Sequence, residues 1–149
     1  KDAGIPFFAS SKIGSRINEW HGTRLGDELT HARPTIVLVA LGTNDFYATP
    51  TAEKLAGEVG DLLERLSQEP VPDCYGAGPD VLWIGPPALP IDGPIEALEH
   101  AVQTGYEGAC GHADYFPSQS LDLRMGPDGI HPTAAGFASW AGAIWKHLS

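Results

Sequence analysis

Hydrophobic residues along the chain fall into short solid runs, separated by longer stretches with helical spacing. Thr35-Ile36-Val37-Leu38-Val39-Ala40-Leu41 is the clearest run. It is apolar on both alternating faces, which predicts a buried parallel strand. Val81-Leu82-Trp83-Ile84 is a second, stopped by Gly85-Pro86-Pro87. Ile5–Ala9 and His112–Phe116 read as shorter strands. Between these runs, Ser15 to about His31 sets Ile17, Trp20, Leu25 and Leu29 in an amphipathic pattern. Gly22 and Gly26 weaken that segment as a helix. Thr49 followed by Pro50 reads as a cap and a first helical residue. The helix it opens runs to about Ser67, with Leu55, Val59, Leu62, Leu63 and Leu66 as its stripe, and Pro70 and Pro72 end it. Two further helices are predicted, from Pro94 to about Gly105 and from Pro132 to Leu148.

Strands alternating with helices predict an α/β layered fold around a mostly parallel sheet. No repeat, linker or low-complexity segment interrupts it, so a single domain over 1–149 is expected. Sites in such sheets lie at the carboxyl ends of the strands. That rule draws attention to the loops after Ala9, Leu41, Ile84 and Phe116.

Composition narrows the partners. The formal net charge is −10, with only 9 Lys and Arg. Such a surface repels phosphate backbones and anionic membranes, so nucleic acid is not an expected partner. No apolar stretch reaches the ~20 residues that span a bilayer. The two cysteines, Cys74 and Cys110, are too few for a zinc cluster. Both sit in Gly-rich loops before predicted strands, where a disulfide or two buried thiols would fit. A bridge would favour an extracytoplasmic setting. His21, His31, His100, His112 and His147 show no metal-like spacing, and no metal or organic cofactor is expected.

Three groups of residues carry chemistry. In Asp128-Gly129-Ile130-His131-Pro132, a carboxylate three residues before a histidine can fold back across a glycine turn to the imidazole. A general base near neutral pH needs such a partner to fix its tautomer. An ordinary loop before a helix would use the same residue types. Gly42-Thr43-Asn44-Asp45 follows the strongest strand. An Asn amide is a neutral donor suited to an oxyanion, although a plain turn also favours Asn and Asp. Asp45 reads mainly as a structural acceptor. Gly14, in the loop after the first predicted strand, could present a backbone N–H to the same oxyanion. Phe46, Tyr47, Pro87 and Ile130 are candidates to line a substrate pocket. Asp92 and Glu96 pair with no other carboxylate in the way a glycosidase requires.

Together these blocks resemble the SGNH, or GDSL-like, hydrolase family. Gly42-Thr43-Asn44-Asp45 is similar to its Asn block, and Asp128-Gly129-Ile130-His131-Pro132 to its His block. Gly14, followed by Ser15-Arg16-Ile17-Asn18-Glu19-Trp20, sits where the Gly block would lie. The resemblance runs from about Ile5 to Leu148. It implies a three-layer, flavodoxin-like doubly wound fold. It also implies hydrolysis of a carboxylic ester through an acyl-serine, with Asp128 and His131 as the acid–base pair and Asn44 and Gly14 in the oxyanion hole. Esters of small molecules, carbohydrates or lipids are the implied substrates, and oligomeric state is left open.

One block has no counterpart. The family opens with a strand and a Gly-Asp-Ser turn that bears the nucleophile, whereas here Gly26-Asp27 is followed by Glu28. The family's opening strand lies inside the sheet, and its removal would leave apolar strands without a hydrogen-bonding neighbour. The expectation is therefore a first strand and nucleophile turn supplied from before Lys1, in the same chain or as a separate piece. Ser10 or Ser11 as nucleophile, and an inactive SGNH-fold binding module, are the alternatives.

Overall fold

The computed structural model describes residues 7–20, 23–48, 50–71, 78–108 and 111–149. Three strands, β1 (Ile36–Val39), β2 (Asp80–Ile84) and β3 (Ala113–Phe116), pair in parallel in the order β1-β2-β3. Around them lie α1 (Thr23–Ala32), α2 (Thr43–Tyr47), α3 (Ala52–Ser67), α4 (Ile95–Thr104) and α5 (Ala134–Leu148). This is the layered parallel α/β architecture that the alternation of patterns predicts.

Register decides which residues face which layer. Val39, Val81, Trp83 and Tyr115 point into the larger core, with Ile17, Leu29 and Phe46 and the apolar stripes of α3 and α4. Leu82, Ile84 and Phe116 point the other way, onto Trp140, Ala143 and Ile144 of α5. α3 earns its place by capping as well as by burial. The Thr51 hydroxyl accepts from the Lys54 N–H at 3.2 Å, which puts the cap one residue beyond the expected Pro50 start. Thr133 caps α5 in the same way, through the Gly136 N–H at 3.2 Å.

α5 runs antiparallel to the strands. Its Trp140 indole N–H donates to Ser118 Oγ at 2.8 Å, just past the carboxyl end of β3. Near its other end, His147 Nε2 lies 2.7 Å from Asp114 Oδ2, near the start of β3. The segment before α5 is therefore delivered to the carboxyl edge of the sheet, the same edge that Gly42 and Gly85 leave.

Three expectations are corrected. Thr35–Leu41 does not form a strand buried on both faces. Among the described residues β1 is a sheet edge, and Ile36 and Leu38 are 50% and 45% exposed on the face that α5 covers elsewhere. Phe7–Ala9 is exposed and carries no strand, because no neighbour among the described residues offers it a ladder. The stretch from Ser15 to about His31 is not one helix but a short 3-10 turn, Ile17–Trp20, followed by α1. At the start of the 3-10 turn the Arg16 and Ile17 N–H groups donate to the Glu19 and Asp45 carboxylates. Cys74 and Cys110 lie outside the described residues, as does Thr49.

Leu63 is fully buried between α3 and its neighbours. Leu63→Ala is expected to cost about 2–5 kcal/mol, through lost transfer energy and a residual cavity. Urea unfolding monitored by tryptophan fluorescence measures it, with a lower midpoint and an unchanged slope as the expected result.

Candidate active site

The exit of β1 is built by glycine and tryptophan. Gly42 sits at φ 118°, and a Cβ there would meet Leu98 at 3.3 Å and Pro86 at 3.4 Å. Both the left-handed backbone and the tight space require glycine. The fully buried Trp83 donates its indole N–H to the Leu41 carbonyl at 3.2 Å, which fixes the residue before that turn. Immediately after it, Thr43–Tyr47 winds into α2 rather than the plain turn that the Asn and Asp residues suggest.

α2 aims two adjacent side chains at the loop holding Gly14. Asn44 Nδ2 donates to the Ser15 carbonyl at 3.0 Å. The primary amide has a second N–H, so this bond orients the group while leaving a donor. Asp45, 2% exposed, accepts the Ile17 N–H on both carboxylate oxygens, at 3.2 and 3.3 Å. Burial pushes the Asp45 carboxyl up, against the lowering pull of the Ile17 N–H. Ser15 is tied down further, since its Oγ accepts the Trp20 indole N–H at 3.0 Å. Gly14 itself is exposed, with a positive φ of 69°. Asn44 and the Gly14 loop, separated by 29 residues from Ser15 to Asn44, are thus joined directly.

The second half lies before α5. Asp128 Oδ2 is 2.7 Å from His131 Nδ1. Its other oxygen accepts the Ile130 and His131 backbone N–H groups, each at 3.0 Å. Gly129, at φ 67°, lets the chain reverse between them. The turn is closed by the Gly126 N–H on the His131 carbonyl at 2.7 Å, and by an antiparallel bridge from Met125 to Pro132. The His131 ring and these backbone donors hold the Asp128 carboxyl well below the usual carboxylate range. With Nδ1 engaged, Nε2 is the ring nitrogen left to exchange a proton.

Two other Asp–His pairs show that pairing alone is not distinctive. His112 Nδ1 lies 2.9 Å from Asp80 Oδ1, and His147 Nε2 lies 2.7 Å from Asp114. Both belong to the opposite, amino end of the strands. Only Asp128 combines a ring contact with two backbone donors among these pairs, and only it lies toward the carboxyl edge.

The pocket candidates divide. Phe46 is 2% exposed within the larger core, packed so closely on Gly93 that a Cβ there would meet its ring at 2.1 Å. The ring packs in the core. Pro87 is also buried, next to the β2 exit. Tyr47 is exposed and Ile130 is half-buried, its N–H on Asp128. Sequence reasoning placed Trp83 in a strand and Ser15 beside Gly14 but did not foresee the hydrogen bonds they make here. Their signal was weak, since a core tryptophan and a loop serine reveal their partners only in three dimensions. Among the described residues, no group of three or more His, Cys, Asp or Glu could hold a metal ion. No helix among them is long and apolar enough to cross a membrane.

The chain belongs to the GDSL-like lipase/acylhydrolase family, whose model matches residues 8–138. That membership places it among the ester hydrolases of SGNH type. Among solved structures, it is similar to a carbohydrate esterase family 3 protein from Talaromyces cellulolyticus, at 23% identity and a TM-score of 0.66. The match covers 91% of this chain and 67% of that one. No curated protein matches the chain.

The depressed Asp128 carboxyl yields a pH prediction. Its pairing is complete above the unfolded aspartate value and is lost as pH falls through the lower folded value. Carboxyl carbon NMR should show Asp128 still ionised at about pH 3, below the ordinary value of about 3.9. A midpoint at the ordinary value would contradict the geometry.

Proposed function

We propose that the chain forms the acid–base and oxyanion part of a serine-type carboxylic ester hydrolase. The observation that carries this reading is the Asp128–His131 contact at 2.7 Å, made by a carboxylate whose other oxygen is held by two backbone N–H groups. A serine Oγ would attack the ester carbonyl while His131 Nε2 takes its proton. Negative charge would gather on the carbonyl oxygen, against Asn44 Nδ2, the Gly14 N–H and the serine's own N–H. His131 would return the proton to the departing alcohol. It would then deprotonate water to cleave the acyl-serine, releasing the acid and restoring the serine. Asp128 would hold the ring and stabilise its protonated form.

The nucleophile in this reading comes from a segment before Lys1 that pairs along the open edge of β1. The surroundings of that edge support it. Ile36 and Leu38 are exposed on the α5 side of the sheet, and Phe137, Trp145 and Leu148 of α5 are also exposed. A strand on this edge would pair the outer backbone groups of β1, and a helix after it would cover the apolar residues. Four serines of the chain are less suited. Ser15 and Ser118 are buried, each accepting a tryptophan N–H, and Ser10 and Ser11 follow Phe7–Ala9, which carries no strand.

The substrate we propose is an ester of a small molecule or a carbohydrate, the latter suggested by the neighbour's class. A chain with net charge −10 disfavours polyanionic substrates. The test uses the polypeptide extended through the segment before Lys1. It should react with a fluorophosphonate probe and hydrolyse p-nitrophenyl acetate, and His131→Ala should lower kcat by roughly 10³-fold or more with the fold intact. Full activity in that variant would overturn the reading. Absence of labelling in the extended protein would favour an inactive binding module.

A further inference from the structure

The side chain beside Asn44 points to a role that the proposed chemistry does not itself assign. Asp45 is 2% exposed, carries a carboxylate, and accepts the Ile17 backbone N–H on both oxygens. Ion burial is expensive, and a neutral residue would fill this space at lower cost. The expense coincides with a particular geometry. Asn44 holds the Ser15 carbonyl at 3.0 Å, and Asp45 holds the Ile17 N–H two residues further along. Consecutive residues of α2 therefore grip the same turn at two points, just after Gly14.

The buried Ile17 side chain shares the larger core with Phe46, but the turn's other hydrogen bonds do not reach α2. The Arg16 N–H is taken by Glu19, and the Ser15 N–H by the Lys12 carbonyl at 3.3 Å, both contacts internal to the loop. Asn18 reaches Glu58 of α3 at 3.1 Å, beyond the grip. Released from Asp45, the Gly14 loop could shift relative to Asn44. Oxyanion donors act only when they already point at the developing charge, so a shift of this kind weakens both at once.

We propose that Asp45 is a positioning residue that sets the Gly14 N–H and the Asn44 amide as one oxyanion unit, by clamping the Ile17 N–H. This rests on the ester hydrolase reading above. Asp45 touches no reacting atom in this arrangement. Its effect passes through Ile17 to Gly14, and through the shared turn to Asn44.

The test compares Asp45→Ala, Asp45→Asn and His131→Ala in the polypeptide extended through the segment before Lys1, with p-nitrophenyl acetate as substrate. Loss of one oxyanion donor lowers kcat by roughly 10²–10³-fold, so Asp45→Ala, which only loosens two, should lower it by about tenfold or more. KM should change by no more than about twofold, since the ester ground state carries little charge. An Asn oxygen can still accept the Ile17 N–H, so Asp45→Asn should recover most of kcat. Because burial disfavours the ionised carboxylate, Asp45→Asn should keep or raise Tm. Amide exchange at Ile17 should quicken in Asp45→Ala and stay slow in Asp45→Asn.

An unchanged kcat in Asp45→Ala beside an inactive His131→Ala overturns this inference alone. Equal losses of kcat and Tm in both Asp45 variants also overturn it, because they mark a purely structural carboxylate. An active His131→Ala overturns the hydrolase reading, and the inference with it.

Discussion

The parallel pairing of β2 with both its neighbours is the constraint on which the rest depends. Parallel ladders send every strand out through the same edge, and here the exits of β1, β2 and β3 are Gly42, Gly85 and the Pro117–Ser118 turn. Trp83 sits at the centre of that pairing, fully buried, and its indole N–H takes the Leu41 carbonyl. A single residue of the middle strand thus packs the larger core and fixes the start of the Asn44 loop. Ser118 holds the middle of α5 and Asp114 its C-terminal end against β3, which turns the His131 segment toward the same edge.

The two halves of the site are stabilised in different ways. Asp128 and His131 form a local unit, made by a glycine turn and three short contacts within a few residues. Its geometry follows from chain chemistry and survives at the surface, where ion pairs gain little from solvent-screened attraction. Asn44 and Asp45 depend instead on a distant partner, the turn at Ser15–Ile17. That half needs the core beneath it, because Ile17 and Phe46 are both buried in the larger cluster. A buried Asp45 carboxylate beside an exposed Asn44 is consistent with stability being yielded locally for geometry.

The sheet's outer edge is the feature that separates this chain from a closed α/β layer. Ile36 and Leu38 have the composition of an interior strand and the exposure of an edge. Phe137, Trp145 and Leu148 give α5 apolar surface away from its packed residues. Apolar surface in this pattern marks a face suited to packing against a further element.

Sequence alone determined the main strands and helices from β1 onward, their order and the local chemistry of the Asp128–His131 turn. The strands of β2 and β3, the stripes of α3 and α4, and the Asp128–Gly129–His131 turn are all fixed by short-range pattern: solid apolar runs, helical spacing, and glycine where the chain reverses. GTND after a strong strand and DGIH before a helix also pointed to the family. Tertiary structure decided the remainder. It made β1 an edge, left Phe7–Ala9 without a ladder, wound Asn44 into α2, and sent Phe46 to the core. It also joined Asp45 to Ile17. Each of those outcomes depends on whether a partner far along the chain is present to bury a face or accept a hydrogen bond, and periodicity within a segment carries no record of that partner.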